Sequence, residues 1–458
     1  MLTFQNVEDL VVRRLFSLRA VAVATLVLCG TFEGCTRFGF SPKPFLGDGG
    51  DDARDGGLRD MTRDRNVSDR SNQEAGRDDV APRDGVRDAP KDKQVVKEGS
   101  EPDLPPPWGQ PWSKHLSSTG DAVGYGVAID AQGNIYVTGR FQGNADFGGG
   151  ALLTSAGDFD IFLASYTAKG ALRWAKRFGD AEEDLGYDIA LDPSGNIAFI
   201  GEFQGTTNLG GKSLVSAGKR DVVIASFTSA GAHRWSKHFG DSHGDSGRGI
   251  AVDRQGNLYI TGHNAGTIDF GGGVLTSAGS EDGYLASLTS QGAHRWSKRF
   301  GATGWDMGRK MAFDNAGHLL LIGSFHGSTV LSGTPLTSAG GSDLFVASFT
   351  TGGTLRWAKR FGGTGDEYGR AIAIDAQDRL TITGRFMDSI DFGGGKLTSA
   401  GDRDIFMAGL KVDGTYRWAR SFGAMGFDYG EAIVASPQGD VFLAGQFSGG
   451  VDFGQGML

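Results

Sequence analysis

The strongest constraint on this sequence is a stretch that returns at a fixed spacing, Arg-Trp-Ala-Lys-Arg-Phe-Gly at residues 173–179. Close copies follow every 61 residues, and a weaker copy lies 62 residues upstream. One aromatic anchor per unit at a constant period is typical of a repeat protein, in which each unit is one small structural motif. The anchors are Trp112, Trp174, Trp235, Trp296, Trp357 and Trp418.

Each unit reads as four short strands. Residues 187–191 alternate apolar and polar side chains, and the turn Asp-Pro-Ser-Gly-Asn at 192–196 then reverses the chain. A second strand is predicted over 197–203, a glycine-rich excursion follows, and a third strand is predicted over 222–228. The tryptophan stretch is the fourth strand. This pattern predicts an all-β fold, a β-propeller of about six four-stranded blades, with no helix after the N-terminal segment.

Alternation in the fourth strand places Trp174, Lys176 and Phe178 on one face. Because the tryptophan recurs in the same register of every unit, we expect the indole to pack between adjacent blades. Stacking on carbohydrate is the functional alternative.

The last unit is incomplete. After five full units the chain offers only a first and a second strand, between residues 432 and 447, and it stops inside the excursion. We therefore expect six blade positions with an incomplete closing blade. Two explanations stay open: the strand near Trp112 fills the sixth blade, or the chain is a truncated or frameshifted product.

The N-terminal 35 residues have the features of an export signal. Arg13, Arg14 and Arg19 precede an apolar run over residues 20–28, the charge order of a secretory signal. The residues before Cys35 resemble a bacterial lipobox, which predicts lipidation of Cys35. We expect an exported lipoprotein of the outer membrane or cell surface, or a secreted protein. The alternative is an uncleaved anchor or an ordinary signal peptide.

Residues 36–107 are rich in Arg-Asp pairs and almost free of aromatic and β-branched side chains. Such a segment cannot bury enough apolar surface to fold, so we expect a disordered, charged tether. The remaining residues, 108–458, form the predicted propeller domain. The net charge of −9 offers no basic surface for nucleic acid, and we expect a monomer that meets the membrane only through a lipid anchor.

Two motifs resemble a known family. The pattern Asp-x-x-Gly-Asn-x-Tyr-x-Thr-Gly over Asp253 to Gly262, and Asp-x-Phe-x-Ala-Ser over Asp343 to Ser348, are similar to the SBBP family of β-propeller repeats. Copies rich in Asp-Phe-Gly-Gly-Gly resemble those in surface proteins of myxobacteria-like organisms. The resemblance extends from about Trp112 to Leu458. It implies a propeller, usually secreted or surface-exposed, and brings no family catalytic residues.

Antiparallel order places the fourth-to-first connections and the excursions on one face, which is where propellers usually bind. Two sets of acidic residues lie there, and they have two interpretations. They form a carboxylate face that holds a ligand or a cation such as Ca²⁺, or each accepts backbone N–H groups in its own turn. The first set, just before the innermost strand, is Asp184, Asp245, Asp306, Glu367 and Asp428. The second set, opening the third strand, is Asp160, Asp221, Asp282, Asp343 and Asp404.

Near-identical blades supply the same carboxylate repeatedly, whereas an active site needs an acid and a base in different environments. We therefore expect no catalytic residues, no metal-ligating residues among the scattered histidines and no cofactor. The predicted function is a non-catalytic scaffold that binds an unknown protein or glycan through its long-loop face. The alternatives are a glycan- or peptide-active enzyme with carboxylates at the channel mouth, and a truncated product without a present role.

Overall fold

The computed structural model describes residues 25–28, 113–150, 152–436 and 439–453. The chain divides into one unit of residues 1–31 and 106–458 and another of residues 32–105, and every described residue lies in the first. Cys35, Trp112 and the predicted tether lie outside the described residues, so the predictions made for them are not tested. Within the described ranges there is no helix that could cross a membrane.

The described residues form strands throughout. The strands up to the end of the first blade are β1 (Thr25–Leu28), β2 (Ser113–Ser118), β3 (Ala122–Ile129), β4 (Ile135–Phe141), β5 (Asn144–Asp146), β6 (Leu152–Thr154), β7 (Asp160–Tyr166) and β8 (Leu172–Phe178). The second blade contains β9 (Leu185–Leu191), β10 (Ile197–Phe203), β11 (Thr206–Thr207), β12 (Leu214–Val215), β13 (Asp221–Phe227) and β14 (His233–Phe239). The third contains β15 (Asp245–Val252), β16 (Leu258–Asn264), β17 (Thr267–Asp269), β18 (Val274–Thr276), β19 (Asp282–Leu288) and β20 (His294–Phe300).

The later blades repeat this order. The fourth contains β21 (Asp306–Phe313), β22 (Leu319–Leu331), β23 (Thr334–Phe349) and β24 (Leu355–Phe361). The fifth contains β25 (Glu367–Ile374), β26 (Arg379–Phe386), β27 (Ser389–Asp391), β28 (Lys396–Thr398), β29 (Asp404–Lys411) and β30 (Tyr416–Phe422). The sixth contains β31 (Tyr429–Ala435) and β32 (Val441–Gln446).

Five four-stranded antiparallel sheets and one two-stranded sheet make up the blades. Their strand orders are β3-β4-β7-β8, β9-β10-β13-β14, β15-β16-β19-β20, β21-β22-β23-β24, β25-β26-β29-β30 and β31-β32. The predicted β-propeller, all-β and with an incomplete closing blade, is confirmed. The predicted second strand matches β10, and the predicted third strand begins one residue later than β13.

The first strand of each blade is its inner strand, because the first strands of successive blades pack against one another. These inner strands are β3, β9, β15, β21, β25 and β31. The apolar core lies between blades rather than within one. One cluster, for example, joins Tyr136 and Leu163 of the first blade to Ile189, Phe199 and Phe227 of the second. Each blade buries its apolar face only when its neighbour is present, as expected of a repeat protein.

The repeated tryptophan joins each blade to the next. The Trp174 indole N–H donates to the Ser229 carbonyl, 3.1 Å away in the turn between the third and fourth strands of the second blade. Trp235, Trp296 and Trp357 make the same bond to the blade after theirs, at 2.9–3.0 Å. The predicted packing of the indole between blades is therefore confirmed.

The strand β2 does not complete the sixth blade. It pairs with β5, with Ser117 opposite Asp146, and in parallel with β1. Only residues 119–121 separate β2 from β3, and this short connection keeps β2 beside the first blade. In the described part of the chain, the sixth blade consists of β31 and β32 alone.

Candidate functional site

The long connections gather at one end of the inner strands, which we call the channel mouth. Each inner strand begins there, each second strand ends there, and each third strand begins there. The short Asp-x-x-Gly-Asn turns lie at the opposite end. In these turns the aspartate side chain stabilises its own loop. Asp130 Oδ1, for example, accepts the N–H groups of Gln132 and Asn134 at 3.0 and 2.8 Å.

The five acidic residues predicted to face a ligand are buried at the blade junctions. Asp184, Asp245, Asp306, Glu367 and Asp428 are each at most 1% exposed. The second acidic set, which opens the third strands, is equally buried, at most 2% exposed. The structure therefore brings the two sets together in pairs, one pair at each junction, and withdraws both from solvent.

The glycine that ends the repeated stretch lies between the two carboxyl groups of a pair. A methyl group on Gly179 would lie 2.6 Å from Asp184 Oδ2 and 2.7 Å from Asp160 Oδ1. Gly240, Gly362 and Gly423 have the same surroundings in later blades. The repeat therefore requires glycine at this position, because any side chain would displace a buried carboxyl group.

Local hydrogen bonds hold each pair. Asp184 accepts the N–H of Asp180 at 3.2 Å, and Asp160 accepts the N–H of Ala156 at 2.9 Å. Arg177, from the repeated stretch, forms an ion pair with Asp160. The Oδ1 atoms of both aspartates are buried and have no hydrogen-bond partner in the part of the chain that the structure describes.

Burial also changes the protonation of the first set. Loss of hydration raises the pKa of Asp184 and Glu367 to about 8, and the neighbouring carboxylate of the pair adds to this. The same causes raise the pKa of Asp245 and Asp306 to about 7. Among the described residues, no three His, Cys, Asp or Glu side chains are grouped to hold a metal ion. Binding of a ligand or of Ca²⁺ by this set stays a prediction.

Other residues reach the channel mouth, and the sequence prediction missed them. Every inner strand has a β-bulge, which leaves one residue outside the hydrogen-bonded ladder. The bulge follows the first glycine of the strand, at Gly124, Gly186, Gly247, Gly308, Gly369 and Gly430. Bulges commonly re-aim a side chain beside a functional site. Unlike the acidic sets, the bulge residues are of three chemical types, two tyrosines, three arginines and one glutamate: Tyr125, Tyr187, Arg248, Arg309, Arg370 and Glu431. The break in the repeat at this register was the available signal.

On the first three blades the mouth carries a connected ion-pair network, formed by Arg140, Glu183, Tyr187, Glu202, Arg220 and Arg248. Arg220 pairs with Glu202 at 3.1 Å and also with Glu183, which lies 3.5 Å from Arg140. The Tyr187 hydroxyl donates to Glu202 at 3.2 Å. The Arg248 guanidinium lies 4.0 Å from the centre of the Tyr187 ring. Arg140 and Arg220 are thus paired with carboxylates in this half of the mouth.

On the last three blades the equivalent surface is an arginine–aromatic patch, formed by Trp305, Tyr368, Arg385, Arg403, Phe427 and Tyr429. Trp305 and Tyr368 stack with ring centres 5.7 Å apart and planes 7° apart. Arg385 lies between two tyrosines, 4.3 Å from the Tyr368 ring centre and 4.7 Å from that of Tyr429. Arg403 lies 5.6 Å from the Phe427 ring centre.

Below the mouth the inner strands approach closely. Lys310 of the fourth blade forms a 2.6 Å ion pair with Asp188 of the second. Between them the third blade has Gly249, where a methyl group would lie 2.5 Å from the Arg309 carbonyl oxygen. The inner strands of the second, third and fourth blades are therefore in contact below the mouth.

Two curated proteins resemble parts of this chain. Regulatory protein FlaEY of Caulobacter vibrioides is 24% identical over 195 residues, covering 41% of this chain and 20% of that protein. The uncharacterized WD repeat-containing protein L264 of Acanthamoeba polyphaga mimivirus is 21% identical over 344 residues, covering 60% of this chain and 25% of that protein. The chain thus spans only a fifth to a quarter of the length of these relatives.

Solved structures give further likenesses. The Pan2 WD40 domain of Neurospora crassa is 8% identical with a TM-score of 0.37, covering 70% of this chain and 86% of that one. A virginiamycin B lyase from Staphylococcus aureus is 10% identical with a TM-score of 0.35, covering 72% of this chain and 95% of that one.

A family model supports the resemblance drawn from the motifs. The SBBP model, described as a beta-propeller repeat, matches residues 112–144 and 234–263. Each matched segment contains a repeated tryptophan and the turn between the first two strands that follow it. Two segments of this chain therefore match the SBBP family of β-propeller repeats, in agreement with the motifs.

Proposed function

We propose that the protein is an exported, surface-tethered and non-catalytic scaffold that binds a partner through its long-loop face. One observation carries this proposal. Carboxyl groups that repeat from blade to blade are buried at the junctions, whereas the side chains at the channel mouth vary among the blades. A rigid frame that presents a varied surface is suited to recognition.

The absence of catalysis is part of the proposal. The carboxyl groups of Asp184, Asp245, Asp306 and Glu367 have pKa values raised to about 7 or 8, as catalytic acids often do. However, they are at most 1% exposed and recur in equivalent junctions, so a substrate has no access to them. Burial between blades accounts for their pKa values without a catalytic role.

Blocking one face at a time tests the binding proposal. In the full chain with Cys29 and Cys35 changed to serine, Thr303→Cys adds a single thiol on the long-loop face, and Gln255→Cys adds one on the turn face. Both positions are exposed. Each variant is coupled to polyethylene glycol and its binding to isolated cell envelopes is measured. We expect polymer at residue 303 to abolish binding and polymer at residue 255 to leave it intact; equal effects would contradict the proposal.

Lipidation has its own test, because the chain has only two cysteines. We expect Cys35→Ser to abolish incorporation of labelled fatty acid and to release the protein from the membrane fraction. Cys29→Ser is the matched control and should leave both unchanged. If labelling were lost in the Cys29→Ser variant alone, the anchor would be assigned to Cys29 instead of Cys35.

The enzymatic alternative is separable from binding. If the junction carboxyl groups act on a glycan or peptide, Asp245→Asn combined with Asp306→Asn should abolish turnover while the chain stays folded. We expect no turnover of common polysaccharides or peptides by the unchanged protein. Reproducible hydrolysis that disappears in the double variant would overturn the non-catalytic proposal.

A further inference from the structure

We infer that the arginine–aromatic patch docks an acidic, partly apolar segment of a protein partner. This inference rests on the proposed function and names the class of partner and the part of the long-loop face that it uses. Three observations carry it: the residue types of the patch, its charge, and its apolar rim.

The residue types of the patch are those enriched at the centres of protein interfaces. Tryptophan, tyrosine, phenylalanine, methionine and arginine predominate there, whereas lysine, aspartate and glutamate are depleted. The patch combines one Trp, two Tyr, one Phe and two Arg side chains, and Met425 lies beside it. These residues come from the fourth, fifth and sixth blades, so the patch exists only when the blades are assembled.

The aromatic rings hold the arginines in fixed orientations. Arg385 is 2% exposed between the Tyr368 and Tyr429 rings, so it supports the patch from within and does not meet a partner. Arg403 is half-buried against the Phe427 ring, and its guanidinium presents in-plane N–H donors. A planar carboxylate is the group that matches such donors with two parallel hydrogen bonds. Because the Phe427 ring restricts Arg403 before binding, less side-chain entropy is lost when a carboxylate arrives.

The charge of the patch is positive in a chain whose net charge is −9. The neighbouring Asp366 accepts the N–H of Ser342 at 2.8 Å, and Glu281 faces His263 at 3.7 Å. Arg403 has a buried Nε with no hydrogen-bond partner among the residues that the structure describes. Arg403 forms no ion pair with the residues that the structure describes and is complementary to an anionic group, whereas Arg140 and Arg220 on the first three blades are already paired with Glu183 and Glu202.

The rim of the patch is apolar. Phe427 is 49% exposed and Met425 is 86% exposed, and both lie in the loop that leads into the sixth blade. Apolar side chains of a polypeptide can cover them, whereas the hydroxyl groups of an acidic glycan cannot bury against them without losing water. The rim therefore favours a peptide segment in which acidic and apolar residues are mixed.

The test uses random short peptides displayed on phage and selected on the full chain. Selected peptides are then measured against Arg403→Ala and against Arg254→Ala, an exposed arginine on the turn face that loses the same charge. We expect selected peptides to be rich in Asp and Glu mixed with apolar residues. Their affinity should fall about tenfold or more in Arg403→Ala and remain within about twofold in Arg254→Ala.

Several results would overturn the inference. These are selection of neutral or basic peptides, selection of none, or equal affinity for Arg403→Ala and the unchanged chain. Binding of polygalacturonate that is lost in Arg403→Ala, without acidic peptides being selected, would assign the patch to an acidic glycan instead. In each case, the face-blocking experiment at residues 303 and 255 tests the proposed function independently of this inference. Envelope binding blocked at residue 303 keeps the proposed function even where this inference fails.

Discussion

Two tryptophans in one stretch of chain show how differently the molecule uses its positions. Trp296 recurs in other blades; its indole N–H donates to Thr351 of the next blade at 2.9 Å, and its ring lies 6.0 Å from that of Tyr259. Trp305 has no counterpart in the other blades and stacks on Tyr368 at the channel mouth. Repeated positions join blades, and non-repeating positions form the surface that a partner meets.

The difference teaches where to look for function in a repeat protein. A residue that occurs in every unit has a task that every unit shares, which here is packing between blades. A residue that breaks the period at the mouth has no such task, because a bulge residue lies outside the hydrogen-bonded ladder.

The largest effect should come from pH, through the repeated carboxyl groups. The folded-state pKa of Asp184, Asp245, Asp306 and Glu367 is raised, so their contribution to stability is fully present below about pH 4. It is lost as pH rises through 7 and 8. We therefore expect the melting temperature to fall between pH 5 and pH 8 and to level off at higher pH.

Asp306→Asn should reduce this slope and stabilise the protein at high pH. Asp269→Asn is the control, because the N–H groups of Gly271 and Gly273 lower the pKa of Asp269 and keep its titration below this range. A melting temperature that does not change between pH 5 and pH 9 would refute the account of the junctions.

Replacing the repeated tryptophan should have the next largest effect. Trp296→Ala removes packing between the third and fourth blades and an inter-blade hydrogen bond, and should lower the free energy of unfolding by about 3 kcal/mol. Trp305→Ala should lower it by less than about 1 kcal/mol and should instead weaken binding. Denaturant unfolding measures both variants. Equal losses of stability would break the distinction between the two positions.

A single methyl group at the repeated glycine should also destabilise the chain. In Gly301→Ala the new methyl group would lie 2.6 Å from the Asp282 carboxyl carbon, at a backbone φ of +139°. We expect a loss of about 2 kcal/mol. Gly244→Ala is the matched control at a non-repeating position, where a methyl group meets no atom within 4 Å. Thermal unfolding of the two variants should differ clearly.

The smallest effect concerns the two halves of the mouth. Arg220→Ala leaves Glu202, which is 1% exposed, without its strongest partner, and should lower the free energy of unfolding by about 1–2 kcal/mol. Arg403→Ala removes no ion pair given by the described residues and should change stability by about 0.5 kcal/mol or less. If Arg403→Ala were the more destabilising of the two, the patch would be a structural element rather than a docking surface.

The sequence was sufficient for the fold because local chemistry determines each blade. The alternation before Asp192, the turn that follows and the period of the tryptophans predict strands that match β10 and lie within one residue of β13. The same reasoning predicts that the long loops share one face, since antiparallel order leaves no other arrangement.

The site could not be predicted to the same extent because it depends on contacts between blades. Asp184 precedes an inner strand, so the sequence places it near the axis. Its burial depends on Asp160 and Gly179, which meet it only after two blades pack together. The bulge at Arg248 adds a residue to a strand whose alternation looks regular. The pairing of β2 depends on its short connection to β3 rather than on its resemblance to a fourth strand.

The bond from each repeated indole to the next blade gives assembly a direction. The acceptor of Trp174 lies 55 residues further along the chain, and the same separation holds for Trp235, Trp296 and Trp357. During synthesis, a blade therefore receives this bond only after the following repeat has left the ribosome. We therefore expect each interface between blades to close one repeat after its tryptophan is synthesised, in order from the first blade to the last.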